Sequence, residues 1–288
     1  MLASVFVDKE RTMQVVTTIE EVRAARRQWA EVGFVPTMGF LHAGHLSLVQ
    51  QSKAENGVAI ASIFVNPTQF GPNEDFASYP RDTPRDLALL EAAGCDLVWM
   101  PSVEEIYPAG FSSYVEVEGV TAPLEGARRP GHFRGVATVV TKLFNVVQPT
   151  KAYFGQKDAQ QTVVIRQFVR DLAMPVEVVI APTIREADGL AMSSRNSYLN
   201  AEQRAAAPVL YRALTAAQTA YAAGQTDAEA IRQLMLETLA QEPLAQVDYV
   251  SIADPRSLQE LTTIDQQGVL VSLAVRIGKT RLIDNLVM

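Results

Sequence analysis

The spacing of apolar positions divides the chain into two textures. In the first, short runs rich in β-branched and aromatic residues, at 32–36, 58–65, 96–100, 151–154 and 176–180, alternate with segments of helical periodicity. The run Val58-Ala59-Ile60-Ala61-Ser62-Ile63-Phe64-Val65 lacks polar alternation, as a strand covered on both faces does. Helices are expected from Thr18 to about Ala30, at 46–56, from Pro84 to a stop at Gly94, at 135–147 and at 158–172. Thr18-Ile19-Glu20-Glu21 has the capping-box spacing, and Thr83 before Pro84 reads as an N-cap followed by proline in the first turn. Parallel strands need crossover connections, so this alternation predicts an α/β fold, a Rossmann-like parallel sheet with helices on both faces.

From Ala201 the texture turns Ala- and Leu-rich. Helices at 201–223 and 227–240, then strands at 247–252, 269–277 and 281–287, predict a smaller α+β C-terminal domain. The boundary is placed at Ala181-Pro182, giving domains of 1–181 and 182–288. Length agrees, since 288 residues suffice for one large domain or two ordinary ones.

Charge narrows the partners. With 25 Lys plus Arg against 32 Asp plus Glu the net charge is −7, which argues against a nucleic-acid or anionic-membrane binder. Yet 128–170 holds eight basic residues against Asp158 alone, a local +7 inside a chain otherwise at −14. Such a field suggests a small anionic ligand. The single cysteine, Cys95, cannot form an intrachain disulfide and is expected buried; with no 18-residue apolar stretch and no secretory pattern in Met1–Glu10, a cytoplasmic protein is expected.

Ligands of such sheets bind beyond the carboxyl ends of the strands, so the loops after strands are the candidates. Pro36-Thr37-Met38-Gly39-Phe40-Leu41-His42-Ala43-Gly44-His45 follows one strand and opens a helix, where unpaired N–H groups, two imidazoles and two glycines suit phosphate oxygens. A plain surface loop or a metal-binding histidine pair are the other readings. Asn66-Pro67-Thr68-Gln69 offers two amides, suited to a hydroxyl and a carboxylate, or else an ordinary turn. Phe154-Gly155-Gln156-Lys157-Asp158-Ala159-Gln160-Gln161 sets Lys157 at a helix start, with Asp158 as cap or ribose partner. Met192-Ser193-Ser194-Arg195 combines hydroxyls and a guanidinium, either a mobile phosphate clamp or a Ser-rich linker. His132 and Arg134 add weaker anion donors.

Together, PTMGFLHAGH, FVNPTQF, YPRD, HFRGVATVVTKLFN, FGQKDAQQ and DGLAMSSRNSYL resemble the pantothenate synthetase (pantoate–β-alanine ligase) family, within the His-x-Gly-His nucleotidyltransferases. The resemblance runs from about Met13 to the end and implies ATP-dependent condensation of pantoate with β-alanine through pantoyl adenylate, releasing AMP and pyrophosphate. It implies that Met38, Gly39, Phe40, Leu41, His42, Ala43, Gly44, His45, Gly155, Gln156, Lys157, Asp158, Ile184, Met192, Ser193, Ser194 and Arg195 contact ATP. Gln69 would hold pantoate and β-alanine and Gln161 pantoate, with His42, His45, Lys157 and Arg195 catalytic. His45 is the family's assigned proton donor; stabilisation of phosphate charge by a hydrogen-bonded imidazolium is the role preferred here.

Three positions depart from the family. Gln156 stands where Glu is frequent, Thr68 where Met is common, and Asp82-Thr83-Pro84-Arg85-Asp86 where an acidic cluster is associated with Mg²⁺. Mg²⁺ is therefore expected to travel with the ATP phosphates, with Asp82 or Asp86 at most indirect and no protein metal ligand. A homodimer is implied by the resemblance alone, and closure of the smaller domain about 181–183 is expected. The competing readings are an adenylyltransferase acting on a phosphorylated coenzyme precursor and a silent nucleotide-binding module. The first would need cations for a second phosphate where amides stand.

Overall fold

The computed structural model describes residues 12–288 apart from Asn73 and Gln266; the N-terminal decapeptide read above as non-secretory lies outside them. The larger sheet contains β1 (Gln14–Val16), β2 (Gly33–Thr37), β3 (Ala59–Ile63), β4 (Leu97–Trp99), β5 (Lys151–Gly155) and β6 (Glu177–Ala181). All pair in parallel, in the order β1-β4-β3-β2-β5-β6. Its helices are α1 (Ile19–Arg26), α2 (Ala43–Asn56), α3 (Thr83–Ala92), the short α4 (Val103–Ile106) and α5 (Glu125–Arg128), α6 (His132–Val147) and α7 (Ala159–Asp171).

Successive residues of a strand face opposite ways, and this sheet is apolar on both. Phe34 packs with Trp99, Phe144, Phe154 and Phe168 on one face, while its neighbour Val35 packs with Leu41, Leu48, Leu90 and Tyr153 on the other. Each such fully buried side chain contributes about 1.5–3 kcal/mol. Covering both faces is what removes the polar alternation from the β3 run.

The second region holds α8 (Ala201–Ala206), α9 (Val209–Ala222), α10 (Ala228–Ala240) and the antiparallel sheet β7 (Ala245–Ala253), β8 (Leu270–Ile277), β9 (Thr280–Val287). Leu210, Leu214, Ile231 and Met235 from the helices pack on Ile252, Leu273 and Val275. The expected α/β sheet with a smaller α+β region is thus what the chain forms.

The differences have local causes. The helix expected over 201–223 is two, interrupted at Ala207 and Pro208, because proline lacks the amide that an uninterrupted helix would use. The cap of α3 is Asp82, whose carboxylate accepts from the Arg85 amide, and Thr83 is already helical. Helix α1 ends at Arg26, whose guanidinium turns back to the Gln148 carbonyl at 3.1 Å. Strand β1 went unforeseen: three residues are too few to show periodicity, and their pairing with β4 supplies the order.

Candidate active site

Strand order reverses between β2 and β5, which are neighbours although far apart in sequence. Reversal leaves a crevice beyond their carboxyl ends, since the connections from the two strands leave in opposite directions. Across the sheet, β3, β2, β5 and β6 are consecutive, and each carries one candidate segment at its carboxyl end. Four segments scattered over about 160 residues of sequence thereby line one edge.

After β2 the chain turns through Gly39 (φ 81°) and Phe40 (φ 50°) before His42 caps α2. His42 Nδ1 accepts from the Gly44 amide at 3.1 Å, and the His42 amide donates to His45 Nδ1 at 3.3 Å. Both Nδ1 atoms are therefore acceptors, which leaves the proton of each neutral ring on Nε2. The rings lie 4.1 Å apart. Burial, then the positive charge of Lys157, pushes His42 down to about 4; burial and His42 push His45 down to about 3. The charged His45 preferred from the sequence is thus disfavoured, and the pair presents two neutral Nε2–H donors.

The loop's own amides are largely taken. Asp86, 1% exposed, accepts from the amides of Phe40 at 2.6 Å and Leu41 at 2.8 Å. Gly39 donates to Thr37 Oγ1 at 3.2 Å. Leu41, expected beside ATP, places its side chain in the core instead. A nonpolar side chain at the foot of a helix stabilises more by burial than by contact with a wet ligand. The sequence reads Asp86 only as at most an indirect Mg²⁺ neighbour; its role under a loop 46 residues earlier is set by the fold and carries no signal in the sequence.

After β5, Gln156–Asp158 form a 3-10 turn leading into α7, with no side-chain cap at Gly155 or Asp158. Lys157 Nζ lies 3.5 Å from Asp158 Oδ1. Burial works against the Asp158 charge, but Lys157, Arg195 and His45 outweigh it and hold the carboxyl below its usual range. Gln161 follows one turn into α7 and lines a small cavity with Lys157, Asp158, Arg129, His132 and Asn285. At 156, the Gln amide donates to Asn285 Oδ1 at 3.0 Å.

After β6, Ile184 and Met192 are joined by the Met192 amide on the Ile184 carbonyl at 3.0 Å, so the segment is a hairpin rather than a linker. It lies against the histidine loop: Ser194 Oγ donates to the Phe40 carbonyl at 3.2 Å, and Gly44 faces Ile184. Arg195 donates from Nε and Nη2 to Asp75 at 3.1 and 2.9 Å. Burial opposes its charge, but Asp75 more than offsets this. The guanidinium is thus anchored already, with Nη1 turned away from that carboxylate.

The amide segment after β3 splits its two amides. Asn66, 1% exposed, accepts from Thr68 and from Tyr107 Oη at 2.8 Å and donates to the Gly135 carbonyl at 3.2 Å, so it shapes the turn. Gln69 takes the Asn66 donor at 2.9 Å and places Nε2 3.3 Å from Met38 Sδ. Helix α6 approaches this turn so closely that a Cβ on Gly135 would stand 2.4 Å from the Thr68 carbonyl. His132 Nδ1 lies 2.9 Å from the Gln69 carbonyl and Nε2 3.1 Å from Arg129, itself paired with Glu74 at 2.6 Å. Because arginine only donates, Nδ1 of His132 carries the proton. His132 supports Gln69 rather than donating to an anion, and burial lowers it to about 4.

Half of the basic stretch is committed similarly. Arg128 pairs with Asp248, Arg129 with Glu74, Lys151 with Glu55 and Arg170 with Asp171, while Arg134 lies over Tyr114 and Lys142 over Phe111; Lys157 stands at the carboxyl end of β5. No trio of His, Cys, Asp or Glu among the described residues has metal-site geometry.

The whole chain was then compared with known proteins. Residues 14–287 match the family described as pantoate-beta-alanine ligase. A pantothenate synthetase of Chloroflexus aurantiacus is 66% identical over 273 residues, 95% of this chain and 97% of that one. The crystal structure of pantothenate synthetase from Thermus thermophilus superposes with a TM-score of 0.92 at 53% identity, covering 95% of this chain and 99% of that one. That of pantoate-beta-alanine ligase from Francisella tularensis, complexed with beta-gamma ATP and beta-alanine, gives 0.77 at 36% identity, covering 95% and 97%. A crevice at the strand reversal with His42, His45, Lys157 and Arg195 gathered at it, and likeness over nearly its whole length, place this chain in the pantoate–β-alanine ligase family.

Proposed function

We propose that this chain joins pantoate to β-alanine with ATP, and that the crevice at the strand reversal performs both steps. A carboxylate oxygen of pantoate attacks the α-phosphorus, the bond to the bridging oxygen breaks, and pyrophosphate leaves. The β-alanine nitrogen then attacks the acyl carbon of pantoyl adenylate; the carbon–oxygen bond to AMP breaks and the nitrogen loses a proton as the amide forms. The observation that carries this reading is the convergence of two neutral Nε2–H donors, one lysine and one anchored arginine on a single sheet edge.

Each group has a part. His42 and His45 donate to phosphate oxygens without needing to be charged. Lys157 and the free edge of Arg195 take the charge growing on the polyphosphate, the effect that dominates such transfers. Gln69, between Met38 and the Asn66 turn, and Gln161 face the acceptor side and orient pantoate. Mg²⁺ fits as a companion of ATP, neutralising its phosphates, because Asp86 is committed to two amides and Asp82 to a helix cap. Division of the chain at 181/182, closure of the 182–288 part over ATP, homodimers and a cytoplasmic setting belong to the same reading. Light scattering of the purified chain tests the dimer.

The deciding experiment measures AMP and pyrophosphate with β-alanine omitted and restored. Pyrophosphate should appear with pantoate and ATP alone, and AMP turnover should need β-alanine. A stable dinucleotide product, or no turnover with all substrates present, overturns the proposal.

A further inference from the structure

We propose that Asn285, in the last strand of the smaller region, is a positioning residue for Lys157 in the pyrophosphate-releasing step; this rests on the function proposed above. Asn285 is 3% exposed, and its side chain is fully used on the phosphate turn. Nδ2 donates to the main-chain carbonyls of Gln156 at 3.0 Å and Lys157 at 2.8 Å, and Oδ1 accepts from Gln156 Nε2 at 3.0 Å. That turn has no side-chain cap at its N–H groups, and Asn285 holds it through its carbonyls instead. They fix the main chain on either side of the Lys157 Cα and hence the direction in which its ammonium leaves.

Asn285 is itself held. Its amide donates to Asp284 Oδ1 at 2.8 Å, and the 2% exposed Asp284 is paired with Arg185 at 2.6 and 3.0 Å. Arg185 lies over the Tyr211 ring at 4.2 Å and follows Ile184 directly in the chain. One buried chain of contacts from the smaller region thus anchors both the hairpin over the histidine loop and the turn carrying Lys157. A side chain serving only to glue two regions together would not need to commit both N–H groups to the carbonyls of one catalytic turn.

The test separates the two half-reactions in Asn285→Asp and Asn285→Ala. Asn285→Asp keeps shape and the acceptor for Gln156 but turns an oxygen toward two carbonyls. Pantoate-dependent pyrophosphate release should fall about 100-fold with a raised KM for ATP, the scale expected when a reacting group shifts by about 1 Å. Amide formation from preformed pantoyl adenylate, which has no β- or γ-phosphate for Lys157 to hold, should change less than about threefold. That step also reports folding, because a misfolded variant loses both. Pyrophosphate release within about threefold of the unmodified chain, or a parallel fall of both steps, overturns the assignment. If the unmodified chain itself releases no pyrophosphate, the underlying function falls and this assignment with it.

Discussion

Two strand-to-helix turns lie side by side at the strand reversal, one after β2 and one after β5, and they offer different groups to the anion proposed to bind there. At the first, the amides of Gly39, Phe40, Leu41, His42 and Gly44 are taken by Thr37, Asp86 and the two histidines, so the turn offers imidazole Nε2–H groups. At the second no side chain caps the turn or the helix start, and Lys157 stands beside it. The first is a rigid neutral donor array, the second a cationic helix start. The same topology, therefore, does not imply the same free groups at the turn. What differs is whether side chains cap the helix's first N–H groups, as at α2, or leave them uncapped, as at α7.

The largest effects should come from removing either donor set. Lys157→Ala and His45→Ala should each lower pyrophosphate release by about 100- to 1000-fold, the range for a lost charge-stabilising donor. His45→Gln sharpens the contrast: an amide N–H can replace a neutral imidazole donor, so this variant should retain more activity than His45→Ala. Equal loss in both would mean that the ring must be protonated, and the two turns would then be alike.

Next in size is Asp86→Ala, which leaves two buried amides without an acceptor. Misplacement of the histidine pair should cost about 100-fold in turnover, and the orphaned amides should lower the unfolding free energy by about 1–3 kcal/mol each. Chemical denaturation and steady-state rates measure the two. Asp86→Asn, which keeps one acceptor oxygen, should fall between. Full activity in Asp86→Ala would show that the first turn holds its shape unaided.

The smallest effect is in pH. His42 and His132 are lowered to about 4 and His45 to about 3, from an ordinary value of 6.5. Between 6.5 and about 4 the unfolded chain binds protons that the folded chain refuses, so stability falls as pH falls through that window. Above that ordinary value these rings contribute no slope. The lowered carboxyls of Glu74, Asp75 and Asp158 act in the same direction only at lower pH. Proton NMR of the three ring Cε1–H signals should show neutral rings down to about pH 5. Titration near the ordinary histidine value at His42 or His45 would give the first turn a positive charge and erase the contrast.

Much of this was legible in order along the chain. The strand-like runs, the Thr18 capping box and the four segments after strands were local patterns, and local patterns survive in a sequence. What escaped depended on distance. Asp86 and Asn285 act across 46 and 129 residues, on main-chain atoms that carry no side-chain signature. Leu41 is grouped with its neighbours as an expected ATP contact, yet its side chain lies in the core, because side-chain direction in a turn is set by φ and ψ rather than by residue type. Pro208 is visible in the sequence, but the Ala- and Leu-rich run around it outweighs the signal of one residue.

The sequence by itself determined the alternation that demands a parallel sheet, the family likeness, and the residue types proposed here for phosphate: two histidines, a lysine and an arginine. It also set the sign of the whole chain, while the site depends on where a few charges stand. Only the tertiary structure decided what each group is free to do. It committed Arg195 to Asp75, half of the basic stretch to acidic partners, and two of the histidine loop's amides to Asp86. The reason is that a buried or half-buried polar group must find a partner, and partners are chosen by proximity in space.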